Sequence, residues 1–478
     1  MDYVLDETSP IEKNFEAICR VPHGSFHEQK ISDFLTEFAK NHGLKYHQQS
    51  CGNVIIYKDG TEGYEDHAPV MLQGHMDMVC EAVPGCTHNF EEDPLDLYVE
   101  DGLIMARGTS LGADDGVGVA YMMSILESKT LKHPPLECVF TVQEEVGCMG
   151  AAELDMSLLK SERMIGLDDI GGNSTTICAA GIETAELSFS APRKASDKAF
   201  FALKIEGLIG GHSGDQIHLE RANANNLAAR VMNAVVMAGY QPEIGSIQGG
   251  TKTNSIPRSC TVVFAANGTK AELESSIARI IAEIEDEYHY SDPNIQITVE
   301  DAAAVDVYDA ETSKDLIEYL YLLPTSLQHR SRNIEGLTTA SANLAVLTTD
   351  EQGAHMTYSM RGAVDSLVDT LENKLHMLSA RYGWVIDSAN RSECWPYNET
   401  SALRGVLSET FHQVTGRDLE LCAEHGGLEC GAFSQMRPSM DIVTIGPKVR
   451  GYHTTEEYLD RASFAEIYGV LTAVLEKL

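Results

Sequence analysis

Residues 68–77 read APVMLQGHMD. An apolar run of this length, opened by proline and closed by glycine, reads as a buried strand. Its carboxyl end sets it apart, because the strand delivers His75 and, past Met76, Asp77. On extended backbone the intervening residue lets both face the same way.

The pattern recurs on either side. LECVFTVQ (136–143) runs into Glu144-Glu145, RMIGL (163–167) runs into Asp168-Asp169, and MDIVTIG (440–446) reads as a fourth buried strand. Residues 12–41 carry two amphipathic helices, with Phe34, Leu35 and Phe38 on the apolar face of the second. GVGVAYMMSILES (116–128) and FAEIYGVLTAVLEKL (464–478) read as further helices. Buried strands alternating with helices predict an α/β domain whose mostly parallel sheet is flanked by helices. Its last strand lies far down the chain, so the domain is expected to span 1–184 and 391–478 around an inserted α+β domain at 185–390. Within the insertion a strand–turn–long helix–strand pattern occurs twice, from SCTVVFAANG to NIQITVED and from HMTYSMRG to VIDS. This suggests an internal duplication in shape, with little residue identity.

Composition limits the partners. The chain has 478 residues, 43% hydrophobic and 22% charged, enough for two domains with real cores. Its formal charge of −37 repels nucleic acid and anionic membrane surfaces, so neither is expected as a partner. The first twenty residues lack the basic and apolar regions of an export signal. No run approaches the ~20 apolar residues of a membrane helix. Eleven scattered cysteines without a C-x-x-C pair then read as reduced thiols, and the location expected is cytoplasmic.

Ligands in open α/β sheets bind outside the carboxyl ends of the strands. There the sequence gathers His75, Asp77, Glu144, Glu145 and Asp168, with Asp114 in a Gly-rich turn ahead of helix 116–128. Singly, each has an ordinary reading as a turn acid, a cap or a hydrogen-bonded core histidine. Together, like charges at one edge repel unless cations neutralise them, which points to a metal site. Glu144 and Glu145 are adjacent, so on extended backbone they point in opposite directions, one to ligate and one to move a proton; spacing alone does not say which.

GHMDMV (74–79), GTSLGADDGVGVA (108–120), QEEVGCMGA (143–151) and GLDD (166–169) resemble the successive metal-site motifs of the dizinc exopeptidases. GGHSGDQIHLERANAN (210–225), GGTKTNSIPR (249–258) and HGGLECGAF (425–433) are similar to the bacterial aminoacyl-histidine dipeptidases within that clan. The resemblance runs through almost the whole chain. It implies a catalytic domain with a lid domain that closes over substrate. It also implies hydrolysis of unblocked dipeptides of the Xaa-His type by water activated between two divalent ions, Zn²⁺ first, with Co²⁺ or Mn²⁺ as alternatives.

Carried over to this sequence, Asp114 would bridge the two ions, His75 and Asp168 would complete one site, and Glu145 and His453 the other. Asp77 would orient His75, Glu144 would be the general base, and His212 a lid donor to the oxyanion. Asn254 and Arg361 would hold the substrate carboxylate, Glu429 its amino terminus, and His425 would belong to the substrate pocket. The partner implied is a small peptide, and the chain is expected as a monomer or homodimer.

Asp115 departs from the pattern, standing where the nearest relatives are expected to carry asparagine; a helix N-terminal acid is its plain reading. Thr454 and Glu457 have the spacing of a capping box opening the last helix. Two other readings stand against the main one. Gly108-Thr109-Ser110-Leu111-Gly112 fits the G-x-S-x-G nucleophile elbow, but the helix begins several residues too late. An N-acyl amino acid deacylase would use the same metals without an amine-binding group.

Overall fold

The strand Val70–His75 lies between Leu136–Thr141 and Arg163–Gly166 and pairs with both in parallel. Asp441–Thr444 extends the parallel set beside Arg163–Gly166. On the other side Val54–Lys58 and Lys45–Gln48 add two antiparallel strands, completing a six-stranded sheet. Each parallel strand is covered on both faces, which is why these runs are continuously apolar rather than alternating. Val54, Val70, Leu72, Cys138 and Phe140 pack with Phe15, Leu35, Tyr121 and Phe464 of the helices on one face. The intervening Ile55, Met71 and Val139 pack with Phe433 and Trp395 on the other. Burying these side chains stabilises the fold by about 1.5–3 kcal/mol each.

In this computed structural model, which describes residues 3–332, 334 and 336–478, the chain divides into two units. One comprises the residues up to Ala179 together with Trp395–Ala423 and Leu428–Leu478; the other comprises Ala180–Cys394 together with Glu424–Gly427.

The inserted unit is built on a nine-stranded antiparallel sheet. Ala199–Glu206 lies between Cys260–Ala266 and Gln296–Asp301, the two strands joined by helix Lys270–Tyr288. Gly181–Phe189 likewise lies between Ala354–Gly362 and Val385–Ser392, joined by helix Asp365–Tyr382. Glu243–Gly249 and Thr338–Thr349 meet at the middle of the sheet. The likeness of the two halves is therefore one of topology. Thr269 and Glu272 form a capping box on helix Lys270–Tyr288.

Three local expectations change. The strand before the glutamate pair ends at Thr141, and Gln143 takes a left-handed φ of +56°. Glu144 and Glu145 thus lie in a turn, where their directions are set by hydrogen bonds rather than by strand alternation. The last helix, Arg461–Lys477, is capped by Asp460, which accepts from the N–H groups of Ala462 and Ser463; Thr454 and Glu457 do not open it. Ser110 is buried, donates to the main-chain oxygen of Val79 and accepts from the N–H of Glu81. It ties two loop segments together, and the nucleophile-elbow reading fails.

Candidate metal centre

The three central strands end at one edge of the first unit's sheet. His75 is the last residue of its strand, the glutamate pair lies three and four residues past Thr141, and Asp168 lies two past Gly166. Helix Ala113–Glu127 begins with Asp114 and Asp115 in non-helical conformations. His453 comes from the loop after Val449–Arg450 and has a positive φ of 60°. Three groups of donor atoms form there, each within 4.8 Å: His75, Asp114 and Asp168; Asp114, Glu145 and His453; and His75, Glu144 and Glu145.

Asp114 joins the first two groups. Its Oδ1 lies 3.2 Å from His75 Nε2 and its Oδ2 lies 3.4 Å from His453 Nε2. The same His453 nitrogen is 2.9 Å from Glu145 Oε2, and His75 Nε2 is 4.0 Å from Asp168 Oδ2. Each imidazole thus presents one nitrogen to one oxygen of a shared carboxylate.

The ring of His75 is oriented from behind. Its Nδ1 donates to the main-chain oxygen of Asp77 at 3.0 Å, leaving Nε2 as the free donor atom. The Asp77 carboxylate stands 3.6 Å from that Nδ1, beyond hydrogen-bond range. It accepts instead from Ser25 Oγ and from the N–H groups of Glu144 and Glu145. Asp77 therefore holds the histidine through its backbone and the glutamate turn through its side chain.

Charges in this cluster are strongly perturbed. Burial opposes ionisation of Asp114, but hydrogen bonds from His453 and His75 outweigh it and hold the group below the usual carboxylate range. Burial and the Asp114 charge push Asp168 well above that range. Burial, countered by His75 and reinforced by Glu429, Glu145 and Asp114, pushes Glu144 up as well. Acids this crowded cannot all ionise unless positive charge is supplied. Imidazole and carboxylate donors, the shared Asp114 and a buried Glu145 Oε1 without a hydrogen-bond partner together fit two divalent cations.

Asp115 does cap its helix: Oδ1 accepts from the N–H of Gly118 at 3.0 Å. It is also fully buried, and Oδ2 has no partner. Gly118 is required here, because a Cβ would lie 2.5 Å from that oxygen and 2.8 Å from Leu167 Cβ. Glu429, buried beneath the cluster, accepts from Gln73 Nε2 and from Thr141 Oγ1 at 2.6 Å, and its Oε1 is unpartnered.

Sequence reasoning missed three supports: Ser25 on Asp77, the Gln73–Thr141 pair on Glu429, and Glu457. Only the last has a legible signal, lying four residues after His453, and its spacing to Thr454 imitates a cap.

The remaining predicted residues lie in the inserted unit. Arg361, on strand Ala354–Gly362, is buried; its Nη1 donates to the main-chain oxygen of His425 and its Nε has no partner. Burial, countered by the Asp215 and Glu424 charges, lowers its pKa to about 10. His425 shares a 2.7 Å hydrogen bond with Ser341 Oγ through Nε2, and burial followed by the Arg361 charge brings it down to about 3. His212 is half-exposed on a short strand paired with Ser255–Ile256. Its Nδ1 accepts the N–H of Asp215 at 3.1 Å, with the Asp215 carboxylate at the same distance. Asn254 is exposed in the adjoining turn, and its main-chain oxygen accepts from Ser213 N–H. A Cβ on Gly214 would lie 2.8 Å from Arg361 Nη1 and 3.0 Å from His212 Cε1, so these groups crowd one another.

A parallel sheet edge that gathers imidazoles and carboxylates, interrupted by an antiparallel inserted unit, defines a class. Residues 71–477 match Peptidase family M20/M25/M40, and the chain belongs to that family. It is 30% identical to the cytosol non-specific dipeptidase of Escherichia coli (strain K12), over 98% of this chain and 97% of that protein. Its fold matches the crystal structure of aminoacylhistidine dipeptidase from Vibrio alginolyticus with a TM-score of 0.91, at 28% identity over 99% and 97% of the two chains. Aminopeptidase PepT from Bacillus cereus shares the fold more distantly, with a TM-score of 0.55 at 15% identity over 99% of each chain.

Proposed function

We propose that this chain is a cytoplasmic dizinc dipeptidase that hydrolyses unblocked dipeptides, with the Xaa-His type as preferred substrate. The observation that carries this reading is the division of Asp114, one oxygen facing His75 and the other facing His453 and its neighbour Glu145. His75, Asp114 and Asp168 would hold one ion, and Asp114, Glu145 and His453 the other. When bound, such a pair supplies Lewis-acid polarisation and an acidified water.

Glu144 is the proton carrier. It takes the proton of the attacking water and delivers it to the departing amine nitrogen. Burial raises its proton affinity, and the cations proposed beside it would favour the ionised form that accepts the proton. Asp77 keeps it in place by accepting from its main-chain N–H.

The remaining roles concern the substrate's ends. Arg361 has a buried guanidinium edge with no hydrogen-bond partner, suited to the terminal carboxylate, with Asn254 assisting and His425 bracing the arginine through its main-chain oxygen. His212 is held at Nδ1 by the main chain and carboxylate of Asp215 and would donate to the oxyanion through Nε2. Glu429 has a free carboxylate oxygen for an ammonium group. The similarities to a cytosol non-specific dipeptidase and to an aminoacylhistidine dipeptidase support the activity, the location and a small peptide as the partner.

The test is a panel of Xaa-His and other dipeptides beside their N-acetylated analogues, with metal analysis of the same preparation. Cleavage of the free dipeptides with about two zinc ions per chain is expected. Preference for the acetylated series would instead make it an N-acyl amino acid deacylase, and a metal-loaded protein inert on both would remove the enzymatic reading.

A further inference from the structure

Glu457 lies on the loop that carries His453 and is only 3% exposed. Its carboxylate takes no part in the donor groups. Oε2 accepts from the N–H groups of Leu111 at 2.8 Å and Gly112 at 3.0 Å, and Oε1 from those of Ala113 at 2.8 Å and Asp114 at 3.4 Å. Four consecutive main-chain donors thus converge on one side chain. Gly112, at φ +67° and ψ 32°, provides the left-handed turn that folds them into a concavity, the arrangement by which backbone N–H groups hold anions.

The segment so held ends at Asp114, while the residue holding it is four positions from His453. The loop between is itself tied: Thr454 Oγ1 donates to Gly451 O, Glu456 N–H donates to Thr454 Oγ1, and Glu457 N–H donates to Thr454 O. Two ligands separated by 339 positions in sequence, His453 and Asp114, are therefore joined by a short path of main chain and one carboxylate. Leu111 and Ala113 are fully buried, so no water can replace that acceptor.

We infer that Glu457 is a positioning residue, whose carboxylate sets the distance and angle between Asp114 and His453 and so shapes the cation site they share with Glu145. The inference rests on the two-metal reading. A carboxylate is required because each oxygen accepts twice; the amide of glutamine would aim its own N–H groups at one pair of donors.

Cobalt(II) provides the readout. The chelator-treated full chain is titrated with cobalt, and the visible d–d absorption and binding isotherm are recorded for wild type, Glu457→Gln and Glu457→Asp. Glu137→Gln serves as control: Glu137 is also buried and accepts from Lys160 N–H, Ser161 N–H and Ser161 Oγ, away from every ligand. Wild type is expected to bind two ions. Glu457→Gln is expected to weaken one of them by tenfold or more and to change its absorption, whereas Glu137→Gln loses melting temperature but keeps wild-type isotherm and spectrum. If Glu457→Gln does not fold, Glu457→Asp decides, since it keeps the charge and loses only reach; weakened binding at one site supports the proposal.

Wild-type cobalt affinity and spectrum in the folded Glu457 variant overturns it. So does an equal loss of cobalt binding in Glu137→Gln at equal loss of melting temperature, which would mean general destabilisation. A wild-type chain that binds no cobalt overturns the metal reading first and this inference with it.

Discussion

The two units solve opposite electrostatic problems. At the sheet edge of the first, Asp114, Glu144, Glu145 and Asp168 crowd around two imidazoles, and burial pushes Asp168 and Glu144 toward their protonated forms. In the inserted unit a buried arginine leans on a main-chain carbonyl, with part of its guanidinium unpartnered and a neutral histidine beside it. Leaving a charged group buried without a full partner costs stability, and such groups persist where a ligand completes them. The first unit lacks cations and the second lacks an anion. Under the proposed function, these would be the two charged ends of a small peptide substrate and the cations that act on it.

The contrast can be broken at either end. Asp114→Ala is expected to have the largest effect, abolishing both metal uptake and turnover, because it removes a donor from both groups; metal analysis beside a turnover assay checks it. Glu144→Gln should retain both metals and lose ~10²–10⁴-fold in kcat, the range for general acid–base catalysis; near-wild-type turnover would reassign the base. Arg361→Ala should leave metal content untouched and lower kcat/KM for dipeptides by about 10- to 150-fold, corresponding to ~1.5–3 kcal/mol for a hydrogen bond to a charged group. An unchanged kcat/KM would detach the arginine from the substrate.

Chelation sharpens the comparison without mutation. Bound cations stabilise only the structure that holds them, by ~2.7 kcal/mol at a hundredfold excess over Kd. Removing them should speed amide hydrogen exchange at Leu111–Asp114 while leaving strand Ala354–Gly362 unchanged. Equal acceleration in both would deny the units separate stabilities.

The smallest effect is a pH slope from His425. Burial, then the Arg361 charge, brings its folded-state pKa from the ordinary 6.5 to about 3. Below pH 6.5 the unfolded chain therefore takes up a proton that the folded chain refuses. Its contribution to stability is lost progressively as pH falls from 6.5 toward 3. Urea unfolding at pH 7 and pH 5 should show this loss, and His425→Asn should flatten it.

Much of the first unit is legible in the sequence because its parallel strands are buried on both faces and so are continuously apolar, and because three of them lead into acidic or imidazole residues soon after the apolar run stops. Val70–His75 and Arg163–Gly166 begin and end within two residues of their predicted bounds. The inserted unit is less legible. Gly181–Phe189 alternates in burial, and its partners, Ala354–Gly362 and Val385–Ser392, lie more than 160 positions downstream, a pairing that no local pattern encodes. The directions of Glu144 and Glu145 escape a strand-based reading for a related reason: a left-handed Gln143 ends the strand before the pair begins.

By itself, then, the sequence determined the chemical inventory and its placement at strand ends, since both follow from the type and period of neighbouring residues. The tertiary structure alone decided which carboxylates face the imidazoles and which brace the backbone. Asp77, Asp114 and Glu457 are the same kind of group; one holds a turn, one faces two imidazoles and one holds a loop. A carboxylate takes its role from the donors that surround it, and those donors come from segments hundreds of residues apart, brought together only by folding.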